Sequence, residues 1–138
     1  PLTIDKCLNL QKIPIYGNGK NVRDWIFVRD HCNVLKLILE NGKLGEVYNI
    51  GGGQELRNID LVKMICEYFD KSIPQKSGKK YSDLISFVDD RPGHDQRYAV
   101  NNKKIISHFG WNPSTSFKDN LETTIKWYIE NNFSKKND

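Results

Sequence analysis

The residues best placed to do chemistry lie in one ten-residue stretch, Asp90-Arg91-Pro92-Gly93-His94-Asp95-Gln96-Arg97-Tyr98-Ala99. Pro92 fixes its own φ and biases Arg91 toward an extended conformation, while Gly93 allows backbone shapes closed to other residues. The stretch reads as a sharp, rigid turn that presents Arg91, His94 and Arg97 from a stiff frame. Two guanidinium forks can grip a diphosphate through paired hydrogen bonds, and an imidazole can add another. The competing reading is a surface turn whose arginines pair with Asp83, Asp89, Asp90 and Asp95, because loop charges are commonly only solvated.

The rest of the chain bounds what such a turn can belong to. Its 138 residues suffice for one domain with a real core but not for two full ones. With 28% charged and 38% hydrophobic residues, the composition is that of a globular protein. No apolar run approaches the roughly 20 residues needed to cross a bilayer, and no N-terminal signal pattern is present. A formal net charge of +4 says little about partners. Without a basic stripe interleaved with aromatics, nucleic acid is not an expected ligand. Cys7, Cys32 and Cys66 are widely spaced and form no CxxC pair, which argues against a disulfide framework or zinc site and for buried free thiols. His31 and His108 fall in helical segments as packing or surface residues, and no His/Cys/Asp cluster has metal-ligand spacing.

Several elements must position the turn. A short helix is expected over residues 2–11, then a strand Ile13–Tyr16 closed by the turn Gly17-Asn18-Gly19. Residues 23–28 read as a buried strand or extended segment. Asp30 is a candidate cap for a helix running to Asn41, with Gly42 as its stop. Val34, Leu37, Ile38 and Asn41 share one face of that helix, and Leu35 and Leu39 widen it, so much of its surface must be covered. Glu46–Ile50 reads as a strand ending in Gly51-Gly52-Gly53. The dinucleotide pattern G-x-G-x-x-G fails there, since Leu56 stands where its last glycine would be. Asn58 is expected to cap a helix over 59–70 whose Ile59, Val62, Ile65, Cys66 and Phe69 face inward. A polar loop over 72–80, a strand 84–88, a short helix from Asn101 or Asn102 to Phe109, and a capping box at Ser116–Asp119 opening a helix to Asn132 complete the chain. Phe117, Leu121, Ile125 and Tyr128 form that last helix's inner stripe. Residues 134–138 read as a frayed tail. Trp25, Trp111 and Trp127 read as core or domain-contact residues.

The Asp90–Ala99 stretch resembles the late substrate-binding signature of bacterial dTDP-glucose 4,6-dehydratases, which are extended short-chain dehydrogenase/reductases. The resemblance continues through Pro14-Ile15-Tyr16-Gly17-Asn18-Gly19, Arg23-Asp24-Trp25, Gly45-Glu46-Val47-Tyr48-Asn49-Ile50-Gly51-Gly52 and Gly110-Trp111. It spans nearly the whole chain and implies an α/β fold: a small substrate-binding domain, with residues 24–50 packing on a Rossmann domain that these residues do not include. Residues 1–133 would form the C-terminal sugar-nucleotide-binding part, with Pro1 falling inside the family pattern.

Such enzymes convert dTDP-glucose to dTDP-4-keto-6-deoxyglucose with tightly held NAD. The resemblance assigns oxidation to a Tyr-Lys pair, elimination to an Asp-Glu pair, and NAD binding to a glycine loop, all in the N-terminal portion. It therefore implies no catalytic residue, cofactor site or metal site within this chain, and a homodimeric cytoplasmic parent. Tyr16 and Lys20 do have Tyr-x-x-x-Lys spacing, but that chemistry needs both on one helical face. Two intervening glycines favour a turn instead.

What the resemblance assigns to this chain is half of a dTDP-sugar cradle. Pro14, Ile15 and Tyr16 would line the nucleoside pocket, with Tyr16 near base or ribose. Arg23 would reach the diphosphate, against the plainer reading of a surface ion pair with Asp24 or Asp30. Asn58 matches a substrate-contacting position, though a helix cap explains it equally. Asp90, Arg91, Pro92, Gly93 and His94 complete the set, Arg91 foremost and Asp90 as a partner for ribose hydroxyls. Pro1 and Leu2 end another substrate-contacting stretch. The alternatives are a fragment of a UDP-sugar dehydratase, decarboxylase or epimerase, and a stand-alone nucleotide-sugar-binding module without catalysis. The Gly93-His94-Asp95 continuation favours the dTDP enzyme.

Overall fold

Alternation along Ile13-Pro14-Ile15-Tyr16 sends Ile13 and Ile15 into the interior and leaves Tyr16 on the outer face, and the rest of the fold is assembled around that strand. The computed structural model of the chain describes residues 1–113 and 116–133. Helix α1 (Leu2–Leu8) leads into β1 (Ile13–Tyr16), followed by β2 (Val22–Asp24), α2 (Val28–Asn41), β3 (Glu55–Arg57) and α3 (Asn58–Ser72). A 3-10 turn (Tyr81–Leu84) then opens β4 (Ile85–Val88), and β5 (Arg97–Tyr98), α4 (Lys103–Phe109) and α5 (Phe117–Phe133) follow. The fold is α/β.

Two small sheets carry the strands. β1 lies parallel to β4, from Ile13 opposite Ile85 to Tyr16 opposite Val88. β2 is central in the other sheet, antiparallel to β3 and parallel to β5, with Arg23 opposite both Leu56 and Tyr98. Residues 89–96 thus run from the end of one sheet to the start of a strand in the other.

The larger core gathers Ile4 and Cys7 of α1, Ile13 and Ile15 of β1, the Leu61, Val62, Ile65, Cys66 and Phe69 face of α3, and Ile125 of α5. The α3 and α5 stripes are those the helical spacing indicates, with Phe117, Leu121 and Tyr128 packed against the core. Cys7 and Cys66 meet there as free thiols, and the hydrogen bond with Cys66, then burial, pushes the Cys7 thiol up. A smaller core joins Val34 of α2, Ile105 of α4 and Trp111.

Several expected boundaries move. The first helix stops at Leu8, and Leu10 turns the chain with a left-handed φ of 51°. Only Arg23 and Asp24 of the expected 23–28 segment find ladder partners, in a strand that begins one residue earlier at Val22. Helix α2 starts at Val28 after an extended Phe27, so Asp30 is not its cap. It lies in the first turn, 2% exposed, where a carboxylate suits the positive end of the helix. Arg57 similarly takes the cap position before α3, and Asn58 is the first helical residue. Asn101 accepts from the Lys103 N–H at the start of α4, while the Asn102 amide reaches across to the Gly51 carbonyl. Of the expected capping box, Ser116 Oγ accepts the Asp119 N–H at 3.3 Å, and the Ser116 hydroxyl also bonds the Asp119 carboxylate. The 134–138 tail lies outside the described residues.

Two departures share one cause. Residues 46–50 have strand-like composition but join no ladder among the described residues, since no neighbouring edge is offered to them. On α2 the widened face stays open. Cys32 is exposed rather than buried, as are Val28, Leu35 and Leu39, and Leu44 and Val47 continue the apolar patch. A strand-like sequence without a ladder partner and an open helix face thus lie in the same segment among the described residues.

The glycine run has a packing role. A Cβ on Gly52 would sit 1.9 Å from the Trp25 carbonyl oxygen, and one on Gly51 would meet the Asp24 carboxylate at 2.3 Å. Neither leaves room for a phosphate. Gly53, by contrast, has open space and needs glycine only for its φ of 65°. Gly52→Ala is therefore expected to destabilise by about 3 kcal/mol or more, and Gly53→Ala by only about 1–2 kcal/mol. Urea unfolding of the two variants measures the difference.

Candidate functional site

Parallel strands that end together leave their last peptide groups pointing at a common edge, and β1 and β4 do so at Tyr16 and Val88. The Gly17 N–H donates to the Val88 carbonyl at 2.9 Å, closing that edge. Gly17 has a φ of 54°, and a Cβ there would come within 3.0 Å of Asp90 Oδ2. The missing side chain is what lets Asp90 fold back over the strand ends. Gly19 is equally constrained: its φ is 69°, Ile15 and Ile59 crowd it, and its carbonyl accepts the Ile59 N–H at 3.0 Å.

The next residue but one ties three elements together. Asn21, 3% exposed, donates its amide to the Asp95 carbonyl at 3.1 Å and accepts the Asn58 N–H on its own carbonyl at 3.0 Å. Val22 then donates to the Gln96 carbonyl at 2.7 Å. The turn after β1 thereby fixes both the 89–96 loop and the start of α3.

Arg23 and His94 meet inside that frame. Arg23 Nη2 lies 2.9 Å from His94 Nε2 and donates to the Asp95 carbonyl at 3.0 Å, while Nη1 donates to the Val22 carbonyl at 2.7 Å. None of these partners is a carboxylate, so the expected alternative of an ion pair with Asp24 or Asp30 does not form; Asp24 instead accepts the Gln54 N–H. His94 Nδ1 lies 2.7 Å from Asp90 Oδ1, which also accepts the Arg91 N–H at 2.9 Å. The Tyr16 ring meets the His94 ring edge to face, centroids 6.3 Å apart. The His94 side chain is 7% exposed, whereas Tyr16 stays 50% exposed beside it.

The residues expected in the site divide accordingly. Tyr16, Arg23, Asp90 and His94 are in one connected cluster, with Arg91, Pro92 and Gly93 exposed on the loop between the last two. Ile15 points its side chain into the core, so only its backbone faces this edge; Pro14 alternates onto the outer side with Tyr16. Asn58 lies at the start of α3, held by its backbone to Asn21, and its side chain caps nothing. Arg97 is not available as a second fork: it makes a bidentate pair with Glu55 at 2.5 and 2.7 Å and holds that carboxyl below the usual carboxylate range. Arg23 occupies the place beside His94 that the spacing suggested for Arg97. Tyr16 ends a strand and Lys20 follows a turn, so the two do not share a helical face.

Asn21 is the functional-site support that sequence reasoning passes over. Its type and place, just after a glycine turn, look like any solvated turn residue.

Chemically, the edge presents hydrogen-bond donors. Arg23 spends three of its N–H groups on two carbonyls and an imidazole, leaving Nε–H and one Nη1–H uncommitted among the described residues. A cavity of about 520 Å³ lies elsewhere, between Ile4, Trp25–Arg29, Leu61 and the Leu121, Thr124 and Trp127 side of α5. No described helix is long and apolar enough to cross a membrane.

Comparison with known proteins agrees with this fold. The GDP-mannose 4,6 dehydratase family model matches residues 2–124, and the chain belongs to that family. Within it, the chain is similar to the C-terminal part of dTDP-glucose 4,6-dehydratases. It is 44% identical over 131 residues to the enzyme of Xanthomonas campestris pv. campestris, covering 95% of this chain and 37% of that protein. It is 44% identical over 136 residues to the Haemophilus influenzae enzyme, covering 97% of this chain and 40% of that one. The chain thus spans about 40% of the length of these relatives. Among solved structures, the Bacillus anthracis dTDP-glucose 4,6-dehydratase in complex with NAD superposes with a TM-score of 0.80 at 40% identity, over 95% of this chain and 39% of that one. The Streptomyces venezuelae dTDP-glucose 4,6-dehydratase, solved with NAD and TYD bound, gives 0.83 at 39% identity, over 95% and 38%.

Asn21 is the knot joining loop 89–96 to β1 and α3, and Asn21→Ala removes one of the two donors to the Asp95 carbonyl, Arg23 keeping the other. The expected loss is about 0.5–1.5 kcal/mol. Hydrogen exchange should quicken at Val22 and Asn58 first, before the α3 core amides.

Proposed function

We propose that this chain supplies the substrate-binding part of a dTDP-glucose 4,6-dehydratase, which converts dTDP-glucose to dTDP-4-keto-6-deoxyglucose in deoxysugar, rhamnose and polysaccharide synthesis. The observation that carries the reading is Arg23: a guanidinium with donors to spare and no carboxylate partner, aimed along the edge that Tyr16 and His94 share. A sugar nucleotide offers matching chemistry. Its diphosphate takes Arg23 from the strand side and Arg91 from the loop side, and its nucleoside lies on Tyr16 and Pro14. Pro92 and Gly93 hold the loop, and Asn58 offers a further amide from α3.

NAD is the cofactor of the whole enzyme in this reading, supplying hydride transfer, and it is held elsewhere. The only glycine run here, Gly51-Gly52-Gly53, is filled by the Trp25–Ile26 backbone and the Asp24 carboxylate, so it makes no cradle for a dinucleotide. In this reading oxidation and elimination fall to residues outside this chain. A Rossmann portion is also what the apolar patch of α2 and the unpaired 46–50 segment call for. Such a portion would cover Val28, Leu35, Leu39 and Val47 and offer a sheet edge to residues 46–50. The whole protein in this reading is a cytoplasmic homodimer.

Calorimetric titration with dTDP and UDP tests the proposal, dTDP being expected to bind more tightly. Arg91→Ala should weaken dTDP by about tenfold or more, the worth of one charged hydrogen bond. Arg97→Ala, already paired with Glu55, should change it by less than about twofold. Unchanged affinity in Arg91→Ala removes that residue from the site. Preference for UDP would move the chain to the UDP-sugar enzymes. Tight binding with no need of a Rossmann partner for any activity would favour a stand-alone module.

A further inference from the structure

The cluster contains a proton whose place is dictated by its neighbours. An arginine guanidinium only donates hydrogen bonds, so the His94 Nε2 that lies 2.9 Å from Arg23 Nη2 must present its lone pair. The ring proton therefore belongs on Nδ1, and there it meets Asp90 Oδ1 at 2.7 Å. Asp90 is itself fixed, by the Arg91 N–H at 2.9 Å and by the space that Gly17 leaves open. We propose that Asp90 is a positioning residue: it locks His94 as the Nδ1–H tautomer, which turns Nε2 into the acceptor that holds Arg23 in its anion-binding pose.

This departs from the expectation that Asp90 serves ribose hydroxyls, and it rests on the dTDP-sugar reading for the identity of the anion. The chain of contacts is Asp90 carboxylate, imidazole, guanidinium, with the Tyr16 ring edge-on to the imidazole and the Asp95 backbone carbonyl completing the guanidinium's partners. Its logic is that of orientation. A ring with its proton on Nε2 would set two donors against each other and turn Arg23 away from the edge. Because the ring side chain is only 7% exposed, water is poorly placed to relieve that conflict.

The ring can be read directly, by long-range ¹H–¹⁵N correlation of His94 in the unliganded wild type. The expected spectrum shows a protonated Nδ1 and an unprotonated Nε2. A proton on Nε2, or on both nitrogens at neutral pH, overturns the proposal without any mutation. Binding then separates positioning from direct contact. Asp90→Ala is expected to weaken dTDP by about tenfold, and to cost nothing further once His94→Ala is present. If the two losses instead add, Asp90 touches the ligand on its own account and the proposal fails. A wild type that does not bind dTDP at all overturns the substrate reading, while the ring spectrum still decides the tautomer.

Discussion

The hydrogen bond between Arg23 and His94 joins residues 71 positions apart and ties β2 to the 89–96 loop. Everything around it serves to bring those two side chains within reach. The parallel pairing of β1 with β4 sets where the 89–96 loop begins, and the pairing of β2 with β5 sets where it ends. Between those anchors the loop is pinned in the middle by Asn21. Closing so long a stretch of chain carries an entropic cost, which falls on the whole core and not on the loop alone.

The electrostatics follow from that arrangement. Positive charge is concentrated at Arg23 and Arg91, while the one carboxylate inside the cluster, Asp90, faces an imidazole and not a guanidinium. Elsewhere on the same sheet the opposite choice is made: Arg97 and Glu55 neutralise each other across β5 and β3. One arginine is spent on holding a sheet edge, and the other, Arg23, meets an imidazole and two carbonyls instead of a carboxylate. The glycines divide in a similar way. Gly17 and Gly19 shape the site, whereas Gly51 and Gly52 let the 50–54 segment lie against Trp25 and Ile26.

Much of this was legible in the residues. Apolar spacing placed α3 and α5 and the faces they bury, and Pro92-Gly93 marked the turn that carries His94. The misreadings have physical causes. β3 and β5 are three and two residues long, too short for a period of two to show, and they exist because β2 offers both its edges. Glu46–Ile50 has the composition of a strand, but pairing is a property of two segments and its partner is not among those described. The family resemblance singled out Arg23, while the turn's residue types alone also offered Arg97. The structure adds the physical reason, placing Arg97 beside Glu55 and Arg23 beside His94. Asn21 had no signal at all, because its role depends on a carbonyl 74 residues away.

Mapping amide shifts on addition of dTDP addresses the central claim most directly. If the edge at the ends of β1 and β4 is where the nucleotide binds, the largest changes fall at Tyr16, Arg23 and Arg91–Asp95. Changes gathered instead around Ile4, Trp25 and Trp127, at the separate cavity, would contradict it.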